Sequence, residues 1–129
     1  MNNKTILIED FSNIARHYDF SILKKQSILI TGSTGLVGSQ LILFFDYLNQ
    51  TQQFGIKIYA LCRSEEKARR MFANSFSKIH FVIGDVLNLP EILDTIDYII
   101  HGASITSSKE FIIHAVETID IAVNGTLNL

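Results

Sequence analysis

Cysteine and long apolar runs are scarce in this sequence of 129 residues. Cys62 is the single cysteine, so no disulfide can form within the chain, and we expect a reducing, cytoplasmic setting. A membrane span requires about 20 apolar residues. No apolar run in this sequence approaches that length, so we expect no membrane partner. We also expect no signal peptide, because Glu9 and Asp10 directly follow the short apolar run 6–8.

Neither positive nor negative charge is in large excess. The chain carries 11 basic and 13 acidic residues, with a formal net charge of −2. A nucleic-acid partner would require a basic stripe, so we expect none. The basic residues between Arg63 and Arg70 are interrupted by Glu65 and Glu66, which is typical of a solvated helix face. The histidines are scattered without metal-ligand spacing, and we expect no metal site.

Glycine, by contrast, is concentrated in one stretch, where the apolar run Ile28–Ile30 leads into Thr31–Gly38. Gly32, Gly35 and Gly38 recur at every third position, and an apolar pattern with helical period follows them. A strand, a glycine loop and a helix in this order are typical of a dinucleotide-binding βαβ unit. The stretch therefore predicts a site for a pyrophosphate.

Each glycine of this loop has its own physical reason. Gly32 permits a sharp turn, Gly35 lets the backbone approach a pyrophosphate, and Gly38 lets the helix pack closely on the strand. The helix N-terminus adds free N–H groups and a partial positive charge. The alternative is a tight strand-to-helix turn without a ligand. An NTPase phosphate loop is excluded, because Ser39 and Gln40 follow where that loop requires Lys and Ser or Thr.

Strand and helix patterns alternate along the chain. The sequence predicts strands at 27–31, 57–62, 79–83 and 98–101. It predicts helices at 9–17, 36–49, 65–72, 91–94 and from 109 to the last residue, with Ser64 as an N-cap. This alternation indicates an α/β fold, a Rossmann-type parallel sheet in the order 3-2-1-4 with helices on both faces.

The first 26 residues precede this pattern, and we interpret 1–26 as an N-terminal extension with a short helix and 27–129 as the domain. The extension covers an edge or face of the sheet or, alternatively, forms a homodimer contact. The helix at 36–49 is expected to bury the apolar side chains Val37, Leu41, Phe44, Phe45 and Leu48. The last helix has no stop signal beyond Gly125, and the fourth strand would be an open parallel edge. We therefore expect that the chain is cut short.

Four stretches occur in the order typical of one family: Thr31–Gly38, Gly84–Val86, His101–Ser104 and Asn124–Leu129. Together they make 27–129 resemble the extended short-chain dehydrogenase/reductase family, in particular its NAD-dependent epimerase/dehydratase members, which act on nucleotide sugars. The resemblance implies that this part of the chain is an NAD(P)-binding Rossmann domain.

The resemblance also implies roles for individual residues. The pyrophosphate would lie on the loop and helix start formed by Gly32, Ser33, Thr34, Gly35, Leu36, Val37 and Gly38. Asp85 would accept a hydrogen bond from the adenine amino group, with the backbone of Val86 beside the ring; a turn carboxylate is the alternative for Asp85. The small residues Gly102, Ala103 and Ser104 would pass beside the ribose and the nicotinamide. His101 invites assignment as a catalytic base, but a structural role is favoured.

Two departures from the family pattern matter. Arg63 follows the second strand where NAD-binding members often have an acidic residue, so it is either a 2′-phosphate contact that favours NADP or an exposed arginine at a helix start. The cofactor is therefore NAD or NADP. The family's catalytic Tyr-x-x-x-Lys pair is absent, because the residues four places after the tyrosines are Ile22, Thr51, Arg63 and Gly102. We expect no catalytic residue in this chain.

The combined prediction is the cofactor-binding portion of a nucleotide-sugar epimerase or dehydratase, similar to UDP-glucose 4-epimerase or dTDP-glucose 4,6-dehydratase. In the whole enzyme, the resemblance implies that NAD(P)⁺ takes a hydride from a sugar carbon and later returns it. This chain alone is expected to be inactive. The alternatives are an NADP-dependent reductase of the same superfamily and a non-catalytic dinucleotide-binding or interaction module.

Overall fold

A computed structural model describes residues 3–129 of the chain, with side chains from residue 5. Its centre is a parallel sheet of four strands, β1 (Ser27–Thr31), β2 (Lys57–Cys62), β3 (His80–Ile83) and β4 (Tyr98–His101). The strand order is β3-β2-β1-β4, which confirms the predicted topology. Consecutive strands run parallel because each returns to the sheet through a crossover connection.

Within residues 3–129, five α-helices surround the sheet: α1 (Asn3–His17), α2 (Leu36–Gln52), α3 (Glu65–Met71), α4 (Ser108–Ile113) and α5 (Ala115–Leu127). Short 3₁₀ turns lie at Ser21–Leu23 and Phe76–Lys78. The predicted cap of α3 is confirmed, because the Ser64 hydroxyl accepts a hydrogen bond from the Lys67 N–H at 3.2 Å. Helix α2 extends to Gln52, beyond its predicted end at residue 49. The C-cap residue that follows, Gln53, has a left-handed φ of 54°.

Alternating strand residues divide the core into two faces. On the α2 face, buried strand residues such as Ile30 and Ile58 pack with Phe45 and Leu48 of α2 and Phe72 beyond α3. On the α5 face, the buried residues are Leu29, Tyr59, Leu61 and Val86, with Ile121 of α5 packed against them. Helices therefore lie on both faces of the sheet, as predicted.

Helix α1 packs on the outer side of α2 and belongs to the α2 face. Phe11 is buried, and its ring lies 5.4 Å from that of Phe44 and 5.8 Å from that of Tyr47, centroid to centroid. The helix begins at Asn3 and not at Glu9, so the predicted start is wrong. The apolar run 6–8 lies inside this helix, and Leu7 packs against the same buried cluster that contains Phe11, so the helix is longer than predicted.

Two further helix predictions are wrong. No helix forms at Glu91–Asp94, where the segment from β3 to β4 crosses β2 and β1 in an irregular conformation. Its apolar side chains Leu89, Ile92 and Ile96 pack against the buried residues of the α5 face, and these tertiary contacts override the local helical pattern. The long helix predicted from residue 109 is broken at His114, whose φ of −119° and ψ of 45° separate α4 from α5.

The prediction that Val37 lies on the buried side of α2 is also wrong. Its side chain is 69% exposed, and that of Leu36 is 82% exposed. Phe44, Phe45 and Leu48 are buried as predicted. The difference arises because the first turn of α2 projects beyond the carboxyl ends of the strands, where there is no sheet to pack against.

Candidate dinucleotide-binding site

The glycine loop lies at the carboxyl edge of the sheet, pressed against the chain that leaves β4. Gly32 has a φ of +67°, which side chains rarely tolerate, and a Cβ there would lie 2.5 Å from the carbonyl oxygen of Gly102. Gly32 is therefore required both by its backbone angle and by this close approach. The two backbone segments that flank the candidate site are in direct contact.

The start of α2 is packed just as tightly onto the loop. A Cβ at Gly38 would lie 2.4 Å from the Gly32 carbonyl oxygen, so only glycine fits there. Gly35 is exposed, and a Cβ there would lie 3.1 Å from the same oxygen. The Gly35 N–H donates to the Gly32 carbonyl at 2.9 Å, which closes the turn and leaves the outer side of Gly35 open.

The N-terminus of α2 faces solvent at this edge. Its N-cap is Gly35, and no side chain within the described residues caps the helix. Leu36 and Val37 are exposed, while Thr34 is half-buried. The first N–H groups of a helix of 17 residues are thus open toward an anion, which they attract through hydrogen bonding and the helix dipole.

Two buried hydroxyl groups attach the loop to the strands on either side. Ser33 donates to the carbonyl oxygen of Leu61, at the end of β2, over 2.7 Å. The Thr31 hydroxyl lies 3.1 Å from the N–H nitrogens of Gly102 and Ala103, both of which donate to it. Sequence reasoning missed these two roles, because serine and threonine beside glycines look like ordinary turn residues.

Arg63 lies at the same edge, directly after β2. Its side chain is exposed and forms no ion pair or hydrogen bond with the described part of the chain. The arginines of α3 differ, since Arg69 binds Glu65 at 2.6 Å. Beside Arg63, burial raises the pKa of the Cys62 thiol, so this cysteine is a poor nucleophile. A guanidinium without an internal partner remains available to an anionic ligand.

Asp85 follows β3 and forms a turn with one of its two carboxylate oxygens. Oδ1 accepts hydrogen bonds from the N–H groups of Leu87, at 2.8 Å, and Asn88, at 3.0 Å. Oδ2 accepts none from the described residues. The turn role and the ligand role proposed for Asp85 are therefore compatible, because the turn fixes the carboxylate and leaves one oxygen available.

Val86 connects this turn to α5. It is buried, and a Cβ on Gly125 would lie 2.6 Å from its side chain. The Asn128 side chain donates to the Val86 carbonyl oxygen at 2.9 Å. These contacts were missed, although a glycine inside an apolar helix pattern is a known signal of close packing. Gly125 is thus a contact point of α5 and not a stop signal.

The candidate residues gather at one edge but form two groups. The glycine loop touches Gly102 and Ala103, and Ser104 is exposed beside them. Arg63 and Asp85 follow neighbouring strands, because the Gly84 N–H donates to the Cys62 carbonyl at 3.0 Å. No hydrogen bond joins the two groups within the described residues. A ligand long enough to contact both would run along the whole carboxyl edge, the usual location in open α/β sheets.

No three His, Cys, Asp or Glu side chains between residues 5 and 129 come close enough together to hold a metal ion. Among the helices of residues 3–129, none combines the length and apolar character of a membrane span.

The sequence profile of the NAD dependent epimerase/dehydratase family matches residues 28–129. The chain belongs to this family. Its similarity extends to UDP-glucose 4-epimerase of Rickettsia typhi (strain ATCC VR-144 / Wilmington), with 31% identity over 111 residues. The UDP-glucose 4-epimerase of Rickettsia prowazekii (strain Madrid E) is 28% identical over 110 residues.

Both alignments cover 81% of this chain but only 31% of the relative. The chain thus spans about a third of the length of these epimerases. The family profile begins at residue 28, at the second residue of β1, so α1 and the turn after it precede the matched region.

Proposed function

We propose that this chain is the cofactor-binding portion of a nucleotide-sugar epimerase or dehydratase and that it binds NAD or NADP at the glycine loop. The observation that carries the proposal is the glycine loop itself. Gly32 and Gly38 are packed against backbone, while Gly35 and the uncapped N-terminus of α2 open outward. This arrangement leaves space and N–H donors for a pyrophosphate where any side chain at Gly35 would project.

The remaining residues fit the other parts of a dinucleotide. The free Oδ2 of Asp85 is suited to accept from an adenine amino group. Gly102, Ala103 and Ser104 offer a backbone path with small side chains for the second ribose and the nicotinamide. When bound, the nicotinamide would accept and return a hydride. This chain's own residues bind and orient the cofactor, and none of them is proposed as catalytic.

The binding proposal is tested by Gly35→Val, measured by calorimetry with NAD⁺ and NADP⁺. A valine there would displace the pyrophosphate from the helix N-terminus, so we expect affinity to fall more than about tenfold, equivalent to about 1.4 kcal/mol. Gly35→Ala is the graded control, with a smaller loss. Circular dichroism confirms that both variants fold. Unchanged affinity in folded Gly35→Val would show that the loop binds no pyrophosphate.

We further propose that Arg63 favours NADP over NAD, because its exposed guanidinium has no partner among the described residues and follows β2. A charge-assisted contact is worth about 1.5–3 kcal/mol, and solvent reduces that value. Arg63→Ala should therefore weaken NADP⁺ by about three- to tenfold and leave NAD⁺ nearly unchanged. Arg70→Ala, on the exposed side of α3, is the matched control. Equal losses for both cofactors would contradict the assignment to NADP.

We also propose that the isolated chain is inactive. General acid–base assistance contributes about 10²- to 10⁴-fold, and no Tyr-x-x-x-Lys pair is present to supply it. An assay with NAD(P)⁺ and UDP-, dTDP-, GDP- and CDP-sugars, followed by product chromatography, should show no turnover. An NADP-dependent reductase is favoured instead if Arg63 proves selective and the parent enzyme releases reduced product. A binding module is favoured if dinucleotide binds and no parent activity exists.

Partner and setting are also proposed. We propose a nucleotide sugar as the partner of the parent enzyme and a homodimer as its oligomeric form. A row of exposed apolar side chains on α4 and α5 supports the homodimer; it comprises Ile112, Val116, Ile119, Val123 and Leu127. The lone, buried Cys62 supports a cytoplasmic setting. Light scattering of the purified chain over a range of concentrations tests the homodimer.

A further inference from the structure

A cavity lies at the amino edge of the sheet, opposite the edge that carries the glycine loop. Its volume is about 460 Å³, and it lies between the end of α2 and the residues that precede β2 and β3. The residues that line it are mostly polar: Asp46, Asn49, Gln50, Gln53, Gly55 and Lys78. None of them belongs to the candidate dinucleotide site.

Asn49 fixes one wall of this cavity by holding the loop that follows α2. Its Nδ2 donates to the Ile56 carbonyl oxygen at 2.8 Å, and its Oδ1 accepts from the Ile56 N–H at 2.8 Å. The loop turns through Gln53 and Gly55, whose φ angles of 54° and 67° are left-handed. Because both polar groups of the Asn49 side chain are occupied, this wall is formed before any ligand arrives.

Asp46 brings a buried carboxylate to the cavity. The residue is only 3% exposed, yet it lines the open space. Both hydrogen bonds that it receives go to Oδ2, one from the Gln50 amide at 2.5 Å and one from the Ser75 hydroxyl. Oδ1 accepts none from the described residues, whose side chains include no oxygen that is both buried and without a partner. Oδ1 is therefore open to the cavity, where a donor can reach it.

The end of α2 adds to the negative potential beside this oxygen. The carbonyl groups of the last helical turn lack partners within the helix and give that end a partial negative charge. The last turn of α2 contains no basic residue that would offset this charge. A cationic group in the cavity would thus meet both a carboxylate oxygen and a helix C-terminus. An ammonium group is suited to this position, since its hydrogen bonds to carboxylates are among the stronger polar contacts.

Lys78 supplies the opposite charge at the rim of the same cavity. Its side chain is exposed, and it forms no ion pair with a carboxylate of the described residues. Its ammonium nitrogen is more than 4.0 Å from the carboxylate oxygens of Asp46, so the two side chains do not neutralise each other by direct contact. A ligand lying between them would present a cation to Asp46 and an anion to Lys78.

We propose that this cavity binds a small zwitterion that carries a primary ammonium group and a carboxylate, as amino acids do. The ammonium group donates to Oδ1 of Asp46, and the carboxylate pairs with Lys78. The inference does not rest on the proposed function, because the cavity and the glycine loop lie at opposite edges of the sheet. Failure of dinucleotide binding would leave it unaffected, and its own failure would leave the dinucleotide site unaffected.

Nitrogen-15 NMR of the labelled chain tests the site with glycine, β-alanine and γ-aminobutyrate, which separate the two charges by increasing distances. We expect at least one of them to produce saturable shifts of the Gly55 and Lys78 amide signals. Acetate and methylammonium carry a single charge each and should bind at least about tenfold more weakly. The absence of a saturable shift with all three zwitterions would overturn the proposal, as would equal shifts with sodium chloride.

Two variants then assign the two charges. Asp46→Asn keeps the shape and removes the negative charge, and Lys78→Met removes the positive one. Each should weaken binding of the preferred zwitterion by at least about tenfold. Glu66→Gln, on the exposed side of α3, removes the same charge as Asp46→Asn far from the cavity and is the matched control, with unchanged binding.

Other results in these variants would contradict the proposal in distinct ways. Undiminished binding in Asp46→Asn would show that the buried carboxylate is not part of a site. Weakened binding in Asp46→Asn but not in Lys78→Met would show that the cavity recognises an ammonium group alone. Tighter binding in Lys78→Met would show that the Lys78 side chain itself occupies the cavity. If Asp46→Asn does not fold, Lys78→Met and the singly charged ligands decide the question.

Discussion

The two faces of the sheet are covered very differently. On the α2 face, fifteen buried apolar residues form one cluster with α1, α2 and α3 packed over the strands. On the α5 face, four buried residues form the core, and neighbouring apolar side chains such as Ile99 remain 42% exposed. The difference follows from the connections, because α2 and α3 are regular helices whereas an irregular segment crosses the α5 face.

Stability and binding chemistry are concentrated on different faces of the sheet. The α2 face supplies most of the buried apolar area and therefore most of the hydrophobic stabilisation. Polar contacts join distant segments on the α5 face, including Thr31 with His101 and Asn128 with Val86, and the buried pair of Ser75 with Asp46 does so on the α2 face. Substitutions on the α2 face should act on folding, and substitutions near the edge of the α5 face should act on the site.

The largest expected effect comes from Phe72→Ala on the α2 face. Phe72 is 1% exposed, and removing such a side chain costs about 3–5 kcal/mol of unfolding free energy. Ile99→Ala on the α5 face should cost below about 1 kcal/mol, because that side chain is already partly solvated. Urea denaturation of both variants measures the pair. Equal losses would mean that the α5 face is as well packed in solution as the α2 face.

An intermediate effect is expected from Tyr59, whose hydroxyl makes a polar contact in the core of the α5 face. Its hydroxyl donates to Asp94, and burial, with a smaller contribution from that carboxylate, raises its pKa to about 12. Above its ordinary pKa of 10.0, the unfolded chain releases the proton while the folded chain keeps it. The unfolding free energy should therefore fall between about pH 10 and 12.

Tyr59→Phe removes the titrating group and should lose this part of the alkaline decline. Tyr18→Phe is the matched control, because Tyr18 is 68% exposed and should leave the decline intact. Denaturation at a series of pH values measures how far the unfolding free energy declines. An unchanged alkaline decline in Tyr59→Phe would show that another group is responsible.

The smallest expected effect concerns the exposed row on α5. Ile119 is 64% exposed, so Ile119→Ser should change the unfolding free energy of the monomer by no more than about 0.5 kcal/mol. Light scattering should show weaker self-association in the same variant if the proposed homodimer uses this row. A large, concentration-independent loss of stability would mean that α5 is buried within one chain.

The sequence was sufficient for the strands and the glycine loop. The bounds of β1, β2 and β4 were predicted correctly because short apolar runs between polar residues identify buried parallel strands. The requirement at Gly38 and the backbone angle of Gly32 are local, whereas the close approach of Gly32 to Gly102 joins distant parts of the chain. The position of the glycine loop in the fold was therefore predictable from the order of strand, loop and helix.

The rest depended on contacts between distant segments. The failed helix at Glu91–Asp94 reflects the packing of Leu89, Ile92 and Ile96 on the α5 face, which no local pattern encodes. The break at His114 separates α5, anchored by Gly125 against Val86, from α4, which buries no residue and is free to take another direction. The roles of Thr31 and Ser33 likewise appear only after β4 and β2 have been placed beside β1.

The pairing of β1 with β4 also has a consequence for folding kinetics. Ile28 pairs with Ile58 in β2 and with Tyr98 in β4. Pairing of β1 with β2 therefore closes a short loop, whereas pairing of β1 with β4 closes a much longer one. The longer loop costs about 0.7 kcal/mol more entropy, and non-local pairing slows folding. We expect β4 to join last. The cleft between the glycine loop and Gly102 is then completed in the final step, so a nascent chain that has not yet docked β4 would have no assembled cofactor site.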